Sequence, residues 1–123
     1  MAQRIGDYGS SHAWLVAEIH ADVIGYAYAS PHRTRDAYSS SVDVAVYVDA
    51  GHARKGMGSA LYAALFPLLK AKKFHAAFAG IALPNDASTA LHQACGFTPV
   101  GIYREVGWKM GAWRDVGWWQ RLL

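Results

Sequence analysis

The chain has 123 residues and a mass of 13.4 kDa, which is the size of a single domain. Its 12 lysines and arginines against 9 acidic residues give a net charge of +3, with no long basic run, which argues against a nucleic-acid-binding arm or a polybasic membrane patch. A hydrophobic fraction of 53% excludes a disordered polyelectrolyte.

Residues that could form disulfides, targeting signals or metal sites are sparse. Cys95 is the single cysteine, so no disulfide can form within the chain. The first residues lack the apolar core of a signal peptide, and no apolar run approaches the roughly 18 residues of a membrane span. No two histidines are four residues apart, so we expect no metal site. These features predict a cytoplasmic protein that binds neither nucleic acid nor membrane.

The first half of the chain is predicted to be mainly strands. Residues 1–12 are polar and rich in Ser and Gly, which predicts a loose lead-in to a domain over residues 13–123. Apolar and β-branched residues predict strands at 14–19 and 23–29. After a polar loop, residues 42–48 carry four valines at a period of two, which predicts a strand with one apolar face.

The second half adds two helices to the predicted sheet. Apolar residues recur at helical spacing over 57–69, and Pro67 predicts a kink late in that helix. A short helix, capped by Asn85 or Asp86, is predicted to run through Cys95, with Gly96 in the left-handed position at its C-terminus. Strands are predicted at 75–83, 97–106 and 113–122. The order of elements predicts an α+β fold, in which helices pack on a mixed sheet.

A glycine-containing segment, Arg54 to Ala60, joins a predicted strand to a predicted helix. The first amides of a helix have no partner inside it, and together with the macrodipole they can bind phosphate. Arg54 and Lys55 add positive charge at the end where acidic residues are usually preferred. A tight helix start is the structural alternative. A Walker loop is excluded because no Gly-Lys-Ser/Thr occurs, and a dinucleotide fingerprint because its third glycine would be Leu61.

The segment resembles the Gln/Arg-x-x-Gly-x-Gly/Ala motif with which the GNAT superfamily of N-acetyltransferases binds the pyrophosphate of acetyl-CoA. Gly56 and Gly58 match its glycines, while Ala53 stands where Gln or Arg is usual. Residues 85–97 resemble that superfamily's second helical segment, which ends in Gly-Phe. From about residue 14 onward the chain is most similar to the phosphinothricin and methionine sulfoximine N-acetyltransferases, through segments 35–38, 46–48, 58–62, 83–86 and 111–120.

The resemblance implies an acetyl-CoA-dependent N-acetyltransferase that acts on the amine of a small amino-acid-like acceptor and needs no metal. It gives Asp43 the role of general base or of amine binding, and it implies that His92 protonates the leaving thiolate or polarises the carbonyl. The alternative for Asp43 is a strand-edge carboxylate in solvent or paired with Arg35, and for His92 a histidine satisfied by its neighbours. Arg35 and Tyr38 are candidates for binding the acceptor, or else ordinary loop residues.

The resemblance also implies a set of residues that bind acetyl-CoA. Val46 and Val48 would contribute backbone groups to the pantetheine arm. Asn85 would contact that arm or simply cap its helix. The full predicted set is Val46, Val48, Arg54, Lys55, Gly56, Met57, Gly58, Ser59, Ala60, Asn85 and Ser88.

The N-terminal part of the family pattern has no counterpart. The usual first strand and the two helices that wall the acceptor site are not recognisable in residues 1–12, so the chain looks N-terminally short. A non-catalytic CoA-binding or partner-completed remnant is therefore the alternative function. Four tryptophans either line the acceptor site or cover an apolar face in a homodimer, which is the partner we expect: Trp108, Trp113, Trp118 and Trp119.

Overall fold

The computed structural model describes residues 3–7, 13–33, 35–52 and 56–123, with side chains from Ala13 onward. These ranges contain seven strands, two α-helices and two short 3₁₀ turns, at Asp36–Tyr38 and Ala50–His52. In the part described, neither α-helix is long and apolar enough to cross a membrane. The elements are β1 (Gln3–Asp7), β2 (Trp14–Ile19), β3 (Asp22–Pro31), β4 (Ser41–Val48), α1 (Met57–Ala71), β5 (Ala76–Ala82), α2 (Asp86–Ala94), β6 (Thr98–Lys109) and β7 (Ala112–Leu122).

The prediction of a loose lead-in is wrong for Gln3–Asp7, which form β1 and pair antiparallel with β2. An edge strand pairs through its backbone on one side only, so it needs few apolar residues. Because this segment is polar, its sequence does not show the apolar pattern from which the other strands were predicted. A first strand is therefore present. Residues 8–12, between β1 and β2, lie outside the described residues.

The predicted mixed sheet is confirmed, with the strand order β1-β2-β3-β4-β5-β7-β6. All neighbouring strands are antiparallel except β4 and β5, which are parallel because the crossover through α1 connects them. That parallel pairing is short: Ser41, Val42 and Asp43 are matched to Ala76, Ala77 and Phe78, and the matching ends there. Beyond Asp43 the two central strands separate.

The hydrophobic core lies between the sheet and α1. Leu61, Leu65 and Leu69 are fully buried on the sheet-facing side of the helix, as its apolar periodicity predicts. They pack in one cluster with Val42 and Val44, two of the four valines of β4. The helix continues past the exposed Pro67 to Ala71.

The opposite face of the sheet is aromatic. Trp14 stacks on Tyr28 with ring centroids 4.7 Å apart, and Tyr26 stacks on Tyr47 at 5.4 Å. Trp14 and Tyr47 remain 41% and 53% exposed. Strand alternation places Asp43 on this same face, because Asp43 and Tyr47 are four residues apart on β4.

Candidate active site

The separation of β4 from β5 creates the candidate site. Past the pair of Asp43 and Phe78, the rest of each strand has no partner on the side that faces the other. A parallel ladder that opens in this way leaves backbone amides and carbonyls available along β4. The opening is bordered by the first turn of α1 on one side and by α2 on the other.

A cleft of about 590 Å³ occupies the mouth of this opening. It contains eight of the residues predicted to bind the cofactor: Val46, Val48, Gly56, Met57, Gly58, Ser59, Asn85 and Ser88. Tyr47, Ala87, Ala90 and Leu91 complete its lining. Ala60, another of the predicted contacts, does not line the cleft. Its amide makes the first hydrogen bond of α1, to the carbonyl of Gly56 at 3.0 Å. Arg54 and Lys55 lie outside the described residues.

The two glycines of the motif are required for different reasons. Gly56 caps α1 with φ of 78°, a left-handed conformation that favours glycine, and a Cβ added there would meet nothing within 4 Å. Gly58 has ordinary dihedral angles, but its Cβ would lie 3.0 Å from Cδ2 of Leu91. Gly56 therefore shapes the helix start, whereas Gly58 allows α2 to pack against α1.

Asn85 caps α2 and also lines the cleft. Its Oδ1 accepts a hydrogen bond from the amide of Ser88 at 3.1 Å, which is the N-cap role proposed for it as an alternative. Because Asn85 and Ser88 both face the cleft as well, the capping role and a contact with a bound molecule do not exclude each other.

His92 is 4% exposed and has partners on both ring nitrogens. Nδ1 donates to the carbonyl of Ser88 at 2.7 Å, which leaves Nε2 as the acceptor for the hydroxyl of Tyr62 at 2.8 Å. Burial lowers the pKa of His92, and the bond to Ser88 offsets part of that shift. Burial also raises the pKa of Tyr62, which keeps its hydroxyl protonated. His92 is absent from the cleft lining and is hydrogen-bonded by its neighbours, while its role as an acid stays a prediction.

Asp43 has a partner that sequence reasoning missed. The ion pair that Asp43 makes is not with Arg35, the predicted alternative, but with His32, whose Nδ1 is hydrogen-bonded to Oδ1 of Asp43. Ser30 is matched to Asp43 across β3 and β4, and His32 lies two residues farther along β3's path, on the same face. Alternation across a β3–β4 hairpin was the available signal, and it would have selected Ser30 and His32 as neighbours of Asp43.

Asp43 borders a second hollow, of about 300 Å³. β4 connects the two cavities, since Asp43, Val44 and Ala45 line the hollow while Val46, Tyr47 and Val48 line the cleft. The indole of Trp118 closes one side, lying 3.1 Å from where a Cβ of Gly80 would be, and its Nε1 is buried without a hydrogen-bond partner among the described residues. The remaining lining residues are Tyr28, Ser30 and Val116.

Of the other residues predicted to contact the acceptor, only Trp118 lines the hollow. Arg35 and Tyr38 lie at an exposed 3₁₀ turn, and neither lines the hollow. Trp118 borders the hollow, whereas Trp119 is buried in the core. Trp108 and Trp113 are exposed and pair edge to face at 5.1 Å, near the turn between β6 and β7.

Comparison with known proteins identifies the family. Residues 1–118 match the family described as "Acetyltransferase (GNAT) domain". The chain belongs to this GNAT family. A phosphinothricin N-acetyltransferase of Streptomyces coelicolor is 51% identical to this GNAT domain over 102 residues, covering 83% of the chain and 60% of the relative. A methionine sulfoximine/methionine sulfone acetyltransferase of Salmonella typhimurium is 36% identical over 109 residues, covering 89% and 64%.

Solved structures share the fold of this GNAT domain. A phosphinothricin acetyltransferase from Sinorhizobium meliloti, solved in complex with acetyl-CoA, superimposes with a TM-score of 0.86 at 37% identity, covering 91% of this chain and 61% of that one. A structure named ribosomal-protein-alanine N-acetyltransferase from Brucella melitensis gives 0.87 at 37% identity, covering 91% and 69%. The chain spans about 60% of the length of the two Streptomyces phosphinothricin N-acetyltransferases that it matches.

Proposed function

We propose that this GNAT domain is an acetyl-CoA-dependent N-acetyltransferase whose acceptor is a small amino-acid-like amine, of the phosphinothricin or methionine sulfoximine type. One observation carries the proposal: β4 and β5 separate immediately after Asp43, so that a cleft at a helix N-terminus and a hollow containing a carboxylate adjoin along one strand. The names of the relatives, and the acetyl-CoA of the Sinorhizobium structure, support the same activity.

The cleft has the chemistry needed to hold acetyl-CoA. The amides of Gly58 and Ser59 precede the first hydrogen bond inside α1, and the helix dipole makes this end attractive to a diphosphate. The separated part of β4 offers its backbone to the amides of a pantetheine arm, between the apolar side chains of Val46 and Leu91. In this proposal Arg54 and Lys55 add positive charge toward the phosphates.

The hollow has the chemistry needed for an amine. Acetyl-CoA supplies the acetyl group as a thioester, so that transfer forms an N–C bond to the amine, breaks the C–S bond and moves one proton from nitrogen to sulfur. Asp43 binds the amine and accepts one proton from its ammonium form, and Tyr28 and Trp118 offer aromatic faces that favour a cationic acceptor. The neutral amine that remains attacks the thioester, and the proton that it loses on forming the N–C bond is the one that the CoA sulfur takes up. His92 holds α2 against α1 through its bond to Tyr62, and its role as an acid toward the leaving thiol stays a prediction. Arg35 and Tyr38 stay predicted acceptor contacts.

Calorimetry with acetyl-CoA and a thiol-release assay with methionine sulfoximine and phosphinothricin test the proposal. We expect binding and turnover, and Asp43→Asn should lose at least about 100-fold in kcat/KM with unchanged acetyl-CoA affinity. Asp36→Asn, on the exposed 3₁₀ turn, is the matched control and should behave like the wild type. No binding at millimolar acetyl-CoA would rule out the enzyme.

A second candidate function is a CoA-binding domain without turnover. The exposure of Trp14 and Tyr47 on the Asp43 face favours it, since that face lacks a cover among the described residues. This candidate predicts acetyl-CoA binding with no thiol release for any amine, and equal behaviour of Asp43→Asn and the wild type.

We also propose that the protein is a cytoplasmic homodimer that binds neither nucleic acid nor membrane. Support for the dimer comes from β6, whose Val100, Ile102, Val106 and Trp108 are each more than half exposed. Such a row of apolar side chains is costly in water and is typical of an interface. Sedimentation should give twice the chain mass, and a strict monomer at micromolar concentration would contradict the proposal.

A further inference from the structure

The hydrogen bond between His32 and Asp43 belongs to a well-packed group. The ring of His32 stacks on Phe78 with centroids 4.4 Å apart and meets the indole of Trp118 edge-on at 6.1 Å. The side chain of His32 is 16% exposed, and the hollow is lined by Asp43 but not by His32. The imidazole therefore contacts the carboxylate without itself lining the hollow in which the acceptor is proposed to bind.

We propose that His32 is a positioning residue for Asp43, an inference that rests on the proposed function. An ionised carboxylate only accepts hydrogen bonds, so Nδ1 of His32 donates to Oδ1. With Oδ1 occupied and the imidazole held by Phe78, the carboxylate keeps one orientation, and Oδ2 is left for the acceptor amine. The proton taken from the amine goes to Oδ2, while the Nδ1–H to Oδ1 bond is retained.

Few other charges act on this pair. Besides Asp43, the one lining residue of the hollow with an ionisable side chain is Tyr28, on β3. The lining residues from β5 and β7 carry no ionisable group: Gly80, Val116 and Trp118. Arg33 donates through Nη1 to the carbonyl of His32 at 2.8 Å. Among the described residues, no lysine or arginine lines the hollow. The hydrogen bond from His32 is therefore the contact on which the orientation of Asp43 depends.

Two substitutions separate the hydrogen bond from the packing. His32→Phe keeps a ring on Phe78 but removes the donor, and it should lose about 100-fold in kcat/KM for the amine, because small misplacements of a reacting group have effects of that size. His32→Asn restores an N–H near the position of Nδ1 and should recover most of this loss at neutral pH. His75→Asn, at an exposed position before β5, is the control and should match the wild type.

Acetyl-CoA affinity separates this inference from the proposed function. Calorimetry should give the wild-type Kd for all three variants, because His32 does not line the cleft. Nitrogen-15 spectra of the histidines should show the Nδ1–H form of His32 near neutral pH, and Asp43→Asn should shift that signal.

Several results would overturn the positioning role. They are wild-type kcat/KM in His32→Phe, no recovery of kcat/KM in His32→Asn, and a nitrogen-15 signal of His32 that does not shift in Asp43→Asn. A wild-type protein that releases no thiol with any amine would instead refute the proposed function, and the catalytic role of His32 with it, whatever the spectra show of the pair.

Discussion

The hydroxyl of Tyr62 lies 2.8 Å from Nε2 of His92, and this bond ties α1 to α2 beneath the candidate cofactor cleft. Tyr62 is fully buried, and both rings also contact Phe97, at centroid distances of 5.8 Å and 5.0 Å. The walls of the cleft are therefore supported by a polar contact inside an aromatic cluster.

Tyr62→Phe should lower the free energy of unfolding by about 1–3 kcal/mol, because it leaves Nε2 of His92 buried without a donor. Urea unfolding measures this loss. Tyr47→Phe, on the exposed aromatic face, is the matched control and should change stability by less than about 0.5 kcal/mol. Equal stability of Tyr62→Phe and the wild type would show that the bond contributes nothing.

Stability should also fall in mild acid because of His92. Its pKa is lowered in the folded protein, so the unfolded chain takes up a proton near pH 6.5 that the folded chain resists. The contribution of the neutral ring is complete above about pH 6.5, and it is lost progressively as the pH falls from there to the lowered pKa. Urea unfolding at about pH 8 and pH 5.5 should show a smaller decline in His92→Gln than in the wild type. Parallel declines would contradict this.

Gly56→Ala should destabilise the protein by roughly 1–2 kcal/mol, since φ of 78° is unfavourable for any residue with a Cβ. It should also weaken acetyl-CoA binding, because it alters the start of α1. Gly101→Ala is the control: its added Cβ also meets nothing within 4 Å, but its φ is not in the left-handed region. Thermal unfolding and calorimetry compare the two, and similar behaviour would refute the conformational role of Gly56.

Gly58→Val should destabilise by about 1–3 kcal/mol and weaken acetyl-CoA binding, because its side chain would push Leu91, and α2 with it, away from α1. Leu91→Ala creates room for the valine, so the double variant should be more stable than the sum of the single effects predicts. A coupling energy above about 0.5 kcal/mol in a double-mutant cycle would establish the contact, and strict additivity would argue against it.

Local patterns predicted most of the fold. The valines of β4 and the leucines of α1 lie where their periodicities place them, because each side chain is buried in the core or packs against it, partly buried. β1 was missed because its stability comes from pairing with β2 and not from its own residues.

The candidate site was predictable only in part. The motif glycines and the capping residue Asn85 line the cleft, since backbone conformation and capping are local properties. The orientation of His92 toward Tyr62, and of His32 toward Asp43, depends on packing between elements distant in sequence. No spacing within a single element specifies such contacts.

The three residue pairs that join β4 to β5 also have a mechanical consequence. They are the only backbone ladder between two blocks of described strands, β1 to β4 and β5 with β7 and β6, and the ladder ends at Asp43. If the blocks swing apart or together, the far ends of β4 and β5 travel most and the residues at the pivot least. The carboxylate of Asp43, at the pivot, would then stay nearly stationary while the opening between β4 and β5 changes its width.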